Sequence, residues 1–269
     1  MSQFMNQSIY IETLGSASPA ATDMVMLHGW AMHGGLMRSL AEELTAQFRV
    51  HLVDLPGHGL SQAGNSDFSL KQLSEQIYMS ISEKINGDAI WLGWSLGGMV
   101  ALKIASQYPD KIKKLILLSS TPAFVKKVDW TYAVDSSVFD SFASDLLNDP
   151  EGTIKRFVSL QVRGSEDSRQ ILKQIREILF SKQLASNEAL FKGLEILQTE
   201  DLRGVYESLS MPVQLLGGER DTLVPKTALD ELHKIKPESE LYIVKKAGHA
   251  PFLSHSNESA RAILEFCHD

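Results

Sequence analysis

Cysteine is almost absent from this chain, since Cys267 is the only one among 269 residues and so has no partner for an internal disulfide. Long apolar runs are missing too, and none approaches the roughly 20 residues that span a bilayer. The first residues, MSQFMNQSIYIETLG, lack the basic start and apolar stretch of a secretory signal peptide. These absences lead us to expect a cytoplasmic protein with no membrane span.

Positive charge is also in short supply. The chain has 26 Lys and Arg against 33 Asp and Glu, a formal net charge of −7, which argues against nucleic acid as the main partner. No cluster of His, Cys and carboxylate residues has the spacing of metal ligands, so we expect neither a metal nor a cofactor. The length, with 43% hydrophobic and 22% charged residues, suits one large α/β domain or one domain with an insertion.

Short apolar runs alternate with segments of helical spacing. Several runs are apolar throughout, which is typical of strands in a parallel sheet covered on both faces. Helical spacing is clearest over residues 70–85 and 96–108, and the second segment stops just before Pro109. This alternation predicts an α/β fold with a mostly parallel sheet and right-handed crossovers. The strands are predicted at residues 8–13, 24–27, 50–55, 89–93, 114–120, 212–218 and 240–247.

The alternation breaks between residues 121 and 210. No strand-like run is clear there, whereas apolar residues recur at helical spacing, as in RQILKQIREILF. We therefore predict a helical cap, residues 121–210, inserted between two strands of a core built from residues 1–120 and 211–269. Such a cap would lie over the carboxyl ends of the strands, where open α/β sheets bind ligands.

The stretch GWSLGG, residues 93–98, carries the pattern G-x-S-x-G directly after a predicted strand and at the start of a predicted helix. In that context a sharp turn exposes a serine hydroxyl as a nucleophile. The glycines at 93 and 97 leave room for the turn, and the N–H of Leu96 would face a developing oxyanion. By itself the motif also fits an ordinary structural turn, so Ser95 needs supporting residues elsewhere.

A serine nucleophile needs a base, and the base needs an orienting carboxylate. Among the eight histidines, His249 is the one that combines a position after Ser95 with the end of the last predicted strand. Asp221 lies in a turn-rich loop after the preceding strand, although a turn or capping role would also explain it. The order Ser95, Asp221, His249 is that of the α/β-hydrolase triad. Because each residue ends a predicted strand, the three together favour nucleophilic catalysis.

A second loop with glycines, LHGWAMHGG, follows the second predicted strand. Its backbone can approach the serine closely, and the N–H of Trp30 is predicted as the second oxyanion donor beside that of Leu96. A core aromatic in a flexible loop is the alternative explanation of Trp30. In the later turn DLPGHGLS, Asp54 and His58 are predicted to be structural.

With these motifs in place, the whole chain resembles the α/β-hydrolase fold, and more narrowly the pimeloyl-acyl-carrier-protein methyl ester esterases of biotin synthesis. HGW, G-x-S-x-G and the late histidine are shared by many hydrolases. WLGWSLGG, together with RFVSLQ and GLEILQTEDLR inside the predicted cap, is more restrictive. The stretches that carry the resemblance are LHGW, LVDLPGHG, AIWLGWSLGG, RFVSLQ, GLEIL followed by DLR, and HAPF.

The resemblance implies a serine carboxylesterase that converts the methyl ester of pimeloyl-acyl-carrier protein, its partner, to pimeloyl-acyl-carrier protein and methanol. We expect a monomer, although the sequence does not fix the oligomeric state. It implies an acyl-enzyme on Ser95, with His249 as the base and Asp221 as the carboxylate that orients it. Phe157 and Leu160 would contact the methylene chain, although packing within the cap would explain them as well. The implied acyl site comprises Trp30, Ser95, Leu96, Phe157, Val158, Ser159, Leu160, Gln161 and His249.

The predicted cap carries positive charge in an otherwise acidic chain. Residues 150–182 include seven basic and four acidic side chains, a net charge of +3. Arg169, Lys173 and Arg176 recur at i, i+4 and i+7, which puts them on one helix face. This face could attract an acidic carrier protein, or it could be an ordinary solvated face.

The resemblance transfers only part of the docking surface. In the family, cap arginines contact the carrier, and Arg156 and Arg169 match those positions. Lys173 replaces an arginine, which keeps the charge but loses bidentate hydrogen bonding, and Gly152 lies where another basic residue is found. We therefore predict carrier docking through Arg156, Arg169 and Lys173.

Two other functions stay open from the sequence. One is a general short-chain carboxylesterase, or a carbon–carbon bond hydrolase of the same fold, which would share the serine turn and differ in the cap. The other is a non-catalytic, hydrolase-like binding protein, although such proteins usually lose a member of the triad. A dehalogenase does not fit, because the nucleophile position holds Ser95 rather than Asp.

Overall fold

The predicted apolar runs form the strands of one sheet in a computed structural model that describes residues 8–18, 20–63 and 69–268. The strands are β1 (Ile11–Leu14), β2 (Thr22–Leu27), β3 (Phe48–Val53), β4 (Ala89–Trp94), β5 (Ile112–Leu118), β6 (Val213–Gly218) and β7 (Glu240–Val244). They lie in the order β1-β3-β2-β4-β5-β6-β7. Neighbours are parallel except β1 with β3, so the mostly parallel sheet is confirmed.

The first strand begins at Ile11 rather than at residue 8, because the backbone before it pairs with a loop. The N–H of Tyr10 donates to Ser61 Oγ (2.8 Å), and the carbonyl of Tyr10 accepts from the N–H of Asp54 (3.0 Å). The pattern of side chains in residues 8–13 does not show that the backbone of Tyr10 bonds to a loop rather than to a strand.

Helices cover the sheet, and α3 follows β4 after a single intervening residue. No helix in the described part of the chain is long and apolar enough to cross a membrane. The helices are α1 (Arg38–Leu44), α2 (Leu70–Ser82), α3 (Leu96–Gln107), α4 (Ser136–Asn148), α5 (Pro150–Gln161), α6 (Ser168–Leu179), α7 (Asn187–Thr199), α8 (Arg203–Ser208), α9 (Lys226–Ile235), α10 (Pro251–Ser254) and α11 (Ser256–His268).

The core is centred on β4. Every residue of β4 and of β6 is buried, as expected for strands covered on both faces. Tyr78 of α2 stacks on Trp91 of β4, with ring centroids 6.5 Å apart, and on Tyr108 at 3.7 Å. Burying a large apolar side chain contributes about 1.5–3 kcal/mol. The turn that follows β4 therefore starts from a rigid strand end.

Helices α4 to α8 lie between β5 and β6 in the chain. Helix α7 supplies the carbonyl of Leu190 to the indole N–H of Trp30 (2.8 Å), and α5 supplies the carbonyl of Gln161 to the N–H of His249 (3.0 Å). These helices therefore pack over the loops that follow β2 and β7, at the carboxyl ends of the strands. The treatment of residues 121–210 as a separate cap domain stays a prediction.

A buried carboxylate joins β2, β3 and the segment before β4 near the amino ends of these strands. Asp23 is 1% exposed and accepts hydrogen bonds from Arg49 Nε (2.6 Å), His51 Nε2 (2.7 Å) and the N–H of Asn86 (2.8 Å). Burial alone would raise the pKa of Asp23, but these hydrogen bonds outweigh it and hold that pKa below its ordinary value. Burial lowers the pKa of His51 in spite of the adjacent carboxylate.

We expect Asp23→Asn to lower the free energy of unfolding by about 3 kcal/mol at pH 7, because the Arg49 charge loses its buried partner. The folded pKa of Asp23 is lowered, so its stabilisation is complete above the unfolded pKa of about 3.9 and is lost as pH falls through the folded value. Urea unfolding at pH 7 and pH 3 should show a difference from the wild type that shrinks at the lower pH.

The control for this variant is Asp135→Asn, because Asp135 forms an exposed ion pair with Lys126. We expect that substitution to change the free energy of unfolding by less than about 1 kcal/mol. A loss for Asp23→Asn that is equal at both pH values would contradict the role given to its charge.

Candidate active site

Ser95 occupies a strained turn between β4 and α3. Its backbone has φ 54° and ψ −118°, in the left-handed half of conformational space that side chains rarely adopt. The N–H of Ser95 donates to the carbonyl of Leu118 (3.1 Å), and its carbonyl accepts from Gly98 N (2.9 Å) and Ser120 Oγ (2.7 Å). Such strain costs about 1–3 kcal/mol and concentrates at functional sites, so it argues against an ordinary turn.

The motif glycines are required by close backbone approach. A Cβ on Gly93 would lie 2.5 Å from the Cα of Gly98, and one on Gly97 would lie 2.6 Å from the carbonyl oxygen of His28. Both obstacles are backbone atoms, which cannot swing aside as a side chain can. The glycine spacing therefore allows β2, β4 and α3 to meet at Ser95.

His249 and Asp221 are brought together from the loops after β7 and β6. His249 Nδ1 lies 2.7 Å from Asp221 Oδ2, and both residues are buried. The other carboxylate oxygen accepts from the N–H groups of Leu223 (2.8 Å) and Val224 (2.9 Å). An ionised carboxylate only accepts hydrogen bonds, so His249 carries its proton on Nδ1 and presents the lone pair of Nε2.

His249 Nε2 is buried and has no hydrogen-bond partner among the described residues. His249 contacts Trp94, the residue before Ser95. The indole N–H of Trp94 donates to the carbonyl of His249 (3.0 Å), and the two rings lie 6.0 Å apart. This bond ties the histidine loop to the serine turn. The sequence shows no local signal for it, because the two residues are 155 positions apart.

The loop after β2 packs against the serine turn. A Cβ on Gly29 would lie 3.2 Å from the Cβ of Ser95, so the missing side chain lets the two segments touch. Within the described residues, neither the N–H of Trp30 nor that of Leu96 donates a hydrogen bond. Leu96 is also the first residue of α3, where the helix dipole favours negative charge. Both predicted oxyanion donors are thus unpaired beside Ser95.

The side chain of Trp30 is a core aromatic, as the alternative explanation expects, and this is compatible with a donor role for its backbone. The indole ring is fully buried and packs edge-on against Phe157, with centroids 4.6 Å apart. Phe157 also packs against Phe142 of α4 at 5.6 Å. Packing of the ring holds the backbone of Trp30 beside the serine.

The remaining residues of the implied acyl site differ in their surroundings. Val158 and Gln161 are buried, whereas Ser159 and Leu160 are partly exposed. Ser159 Oγ donates to the carbonyl of Lys155 in its own helix (2.9 Å). The amide of Gln161 has both polar atoms buried with no hydrogen-bond partner among the described residues. The structure therefore brings Phe157 to Trp30 and leaves the amide of Gln161 without a partner at the end of α5.

The turn after β3 is held to its surroundings by Asp54. Asp54 accepts from the N–H groups of Gly34 (2.7 Å) and Leu60 (2.9 Å), which joins two loops. The ring of His58 lies 5.2 Å from that of His28, and burial lowers the pKa of His58 to about 4. The contacts of Asp54 agree with the structural role expected for it. His58 Nε2 is buried with no hydrogen-bond partner among the described residues, so a structural role for His58 stays a prediction.

Comparison with known proteins identifies the fold. The family model of the alpha/beta hydrolase fold matches residues 24–256. An esterase from Exiguobacterium antarcticum superposes with a TM-score of 0.88 at 22% identity, covering 98% of this chain and 96% of the esterase. A bromoperoxidase from Bacillus anthracis has a TM-score of 0.88, 21% identity and the same two coverages. Such low identities establish the fold alone.

Curated relatives identify a narrower family within this fold. The pimeloyl-[acyl-carrier protein] methyl ester esterase of Nitrosomonas europaea is 41% identical over 247 residues, which are 92% of this chain and 94% of the relative. The enzymes of the same name from Stenotrophomonas maltophilia and Xylella fastidiosa are both 38% identical, over 91% and 96% of this chain and 92% and 98% of their own. This chain belongs to the pimeloyl-[acyl-carrier protein] methyl ester esterase family. The predicted fold and family are thereby confirmed.

The three residues predicted to dock a carrier, Arg156, Arg169 and Lys173, lie at the surface. Arg169, Lys173 and Arg176 are exposed on α6, whose other face buries Ile171 and Ile175. Lys173 lies 3.7 Å from Glu177, an exposed pair that holds it only weakly.

Arg156 differs from the α6 residues because its charge is already paired. Its Nη2 donates to Asp145 (2.9 Å) and to Thr153 Oγ1 (2.9 Å), and Nη1 lies 3.7 Å from Asp149. Among the predicted docking residues, Arg169 has no ion-pair partner within the described structure, and Lys173 has only the exposed pair with Glu177.

We expect Gly97→Ala to impair both folding and the reactivity of Ser95, because the new methyl group meets backbone carbonyls of β2 and its loop. Thermal unfolding should show a lowered Tm, and labelling by a fluorophosphonate should slow or cease. Gly204→Ala is the matched control, since a Cβ there has no atom within 4 Å in the described structure. Equal behaviour of the two variants would contradict the steric argument.

Proposed function

We propose that this protein hydrolyses the methyl ester of pimeloyl-acyl-carrier protein to pimeloyl-acyl-carrier protein and methanol, as a step in biotin synthesis. The observation that carries a hydrolytic site is the bonded pair of His249 and Asp221 beside the strained turn of Ser95. The names of the relatives supply the substrate.

Acylation begins at Ser95. Its Oγ attacks the ester carbonyl while His249 Nε2 takes the hydroxyl proton, and Asp221 holds the imidazole in the Nδ1–H tautomer and stabilises the imidazolium. The N–H groups of Trp30 and Leu96 hold the oxyanion of the tetrahedral intermediate. Collapse breaks the bond to the methoxy oxygen, which receives the proton from His249 and leaves as methanol.

Deacylation repeats the sequence with water as the nucleophile. His249 Nε2 takes a proton from water, and the hydroxide attacks the acyl carbon held on Ser95. The same two N–H groups stabilise the second oxyanion. Collapse returns the proton to Ser95 Oγ and releases the carboxylic acid, still attached to its carrier, so the enzyme is restored.

The pairing of Trp30, Phe157 and Phe142 favours an apolar acyl chain. Phe157 packs edge-to-face against both Trp30 and Phe142, and the rings of Trp30 and Phe142 are tilted to each other, where α4 and α5 meet the loop after β2. A methylene chain is apolar and would pack favourably against these buried rings. A general short-chain carboxylesterase would use the same serine turn but would gain nothing from a carrier-binding face on α6.

We expect Ser95→Ala to lower kcat on a p-nitrophenyl ester by about 10⁴-fold or more, because no nucleophile remains for the acyl-enzyme. A fluorophosphonate should add mass to the peptide that contains Ser95 in the wild type and not in the variant. Ser82→Ala is the control, since its hydroxyl is exposed and bonds its own helix. Full activity of purified Ser95→Ala would overturn the triad and favour a non-catalytic binding protein or another nucleophile.

We expect Arg169→Glu with Lys173→Glu to raise KM for the pimeloyl-carrier methyl ester about tenfold or more, because charge complementarity governs encounter with an acidic carrier. Hydrolysis of a p-nitrophenyl ester should be unchanged, since the site itself is intact. Steady-state kinetics on both esters measure this split. Lys71→Glu reverses an exposed charge outside the cap and serves as the control.

Equal effects of the double reversal on both esters would contradict carrier docking on α6. A wild-type enzyme that prefers short esters to the carrier-bound ester would instead favour the general carboxylesterase. Rescue of a biotin-requiring strain that lacks its own esterase tests the pathway independently of these kinetics.

A further inference from the structure

A single turn of the cap contacts the loops that bear both His249 and Asp221. This turn, residues 161–167, runs from the last residue of α5 to the start of α6 and is called here the α5–α6 turn. Gly164 within it has φ +85°, and a Cβ there would lie 3.0 Å from the Cβ of Arg220. The left-handed glycine thus lets the turn lie directly against the loop after β6.

The α5–α6 turn supplies acceptors to two consecutive N–H groups of the histidine loop. The N–H of Gly248 donates to Ser165 Oγ (2.9 Å), and the N–H of His249 donates to the carbonyl of Gln161 (3.0 Å). A Cβ on Gly248 would lie 2.8 Å from Ser165 Oγ. Both loops are closely fitted here, and only the bond to Ser165 depends on a side chain.

The same turn holds the neighbouring parts of both loops. Arg220, the residue before Asp221 in the chain, donates from Nη1 to the carbonyl of Gly164 (2.9 Å). Lys246 Nζ lies 2.7 Å from Glu166 Oε1 at the exposed rim. The loops of the predicted base and of its carboxylate are therefore braced against one short segment of the cap.

We propose that Ser165 is a positioning residue for His249, acting through the N–H of Gly248. Ser165 itself is 9% exposed, so its hydrogen bond is shielded from water. The proposal rests on the proposed function only in that His249 is the base for Ser95; it does not depend on the acyl-carrier substrate.

The physical reason lies in the geometry of proton transfer. Without an acceptor, the buried N–H of Gly248 is left unsatisfied, and the loop relieves this by moving. His249 follows directly in the chain and shifts with it, which misaligns Nε2 relative to Ser95 Oγ. A displacement of about 1 Å in a reacting group costs up to about a hundredfold in rate.

We expect Ser165→Ala to lower kcat on a p-nitrophenyl ester about tenfold to a hundredfold, with KM changed less than about twofold. Ser165→Thr keeps the hydroxyl and should restore kcat. The low-field proton resonance of the His249–Asp221 hydrogen bond should shift or broaden in the alanine variant and return in the threonine variant. Ser208→Ala, which removes an exposed cap hydroxyl bonded within its own helix, should match the wild type.

The proposal is overturned if Ser165→Ala is folded and keeps the kcat and the resonance of Ser208→Ala. It is also overturned if a folded Ser165→Thr is as slow as the alanine variant. Thermal unfolding establishes which variants are folded. If Ser165→Ala does not fold, Ser165→Cys replaces it, since a thiol fills similar space but accepts hydrogen bonds weakly. A kcat for that variant equal to the wild type would contradict the role.

Ser95→Ala in the same assay separates this inference from the proposed function. Activity that persists in Ser95→Ala contradicts the triad itself. Activity that depends on Ser95 but is indifferent to Ser165 contradicts only the positioning role.

Discussion

The left-handed backbone of Ser95 is the constraint on which the site depends. Holding a residue with a side chain at φ 54° requires the surroundings to leave it no alternative. Hydrogen bonds to the ends of β5 and α3 supply that restraint, and the glycines on either side let three backbones converge. The buried end of β4 is rigid enough to bear the strain, since its whole length lies in the core.

Around that turn, each neighbouring loop is held by a segment distant in the chain. The loop after β2 is held by the ring of Trp30 against Phe157 and by its indole bond to α7. The loop after β7 is held by Trp94 on one side and by the α5–α6 turn on the other. The helices between β5 and β6 therefore hold the loops of Trp30 and His249 in place as well as covering them.

Helix α6 links these supports. Its N-terminal end follows the turn that contains Ser165, and near its C-terminal end the carbonyl of Ile178 accepts from His33 Nε2 (3.1 Å), in the loop of Trp30. The exposed face of the same helix carries Arg169 and Lys173. A carrier protein docked on that face would contact the element that braces both loops.

Sequence alone determined what short-range preferences and chain order encode. Apolar runs predicted the buried strands, and the G-x-S-x-G spacing predicted the tight turn at Ser95, because steric and hydrophobic rules act between near neighbours. The order of Ser95, Asp221 and His249 along the chain indicated the candidate triad. Only the tertiary structure decided which distant groups meet. The bonds of His249 to Asp221, of Gly248 to Ser165 and of Trp94 to His249 span 28, 83 and 155 positions. Such bonds depend on how the sheet packs against the helices between β5 and β6, and a local sequence pattern does not encode that packing.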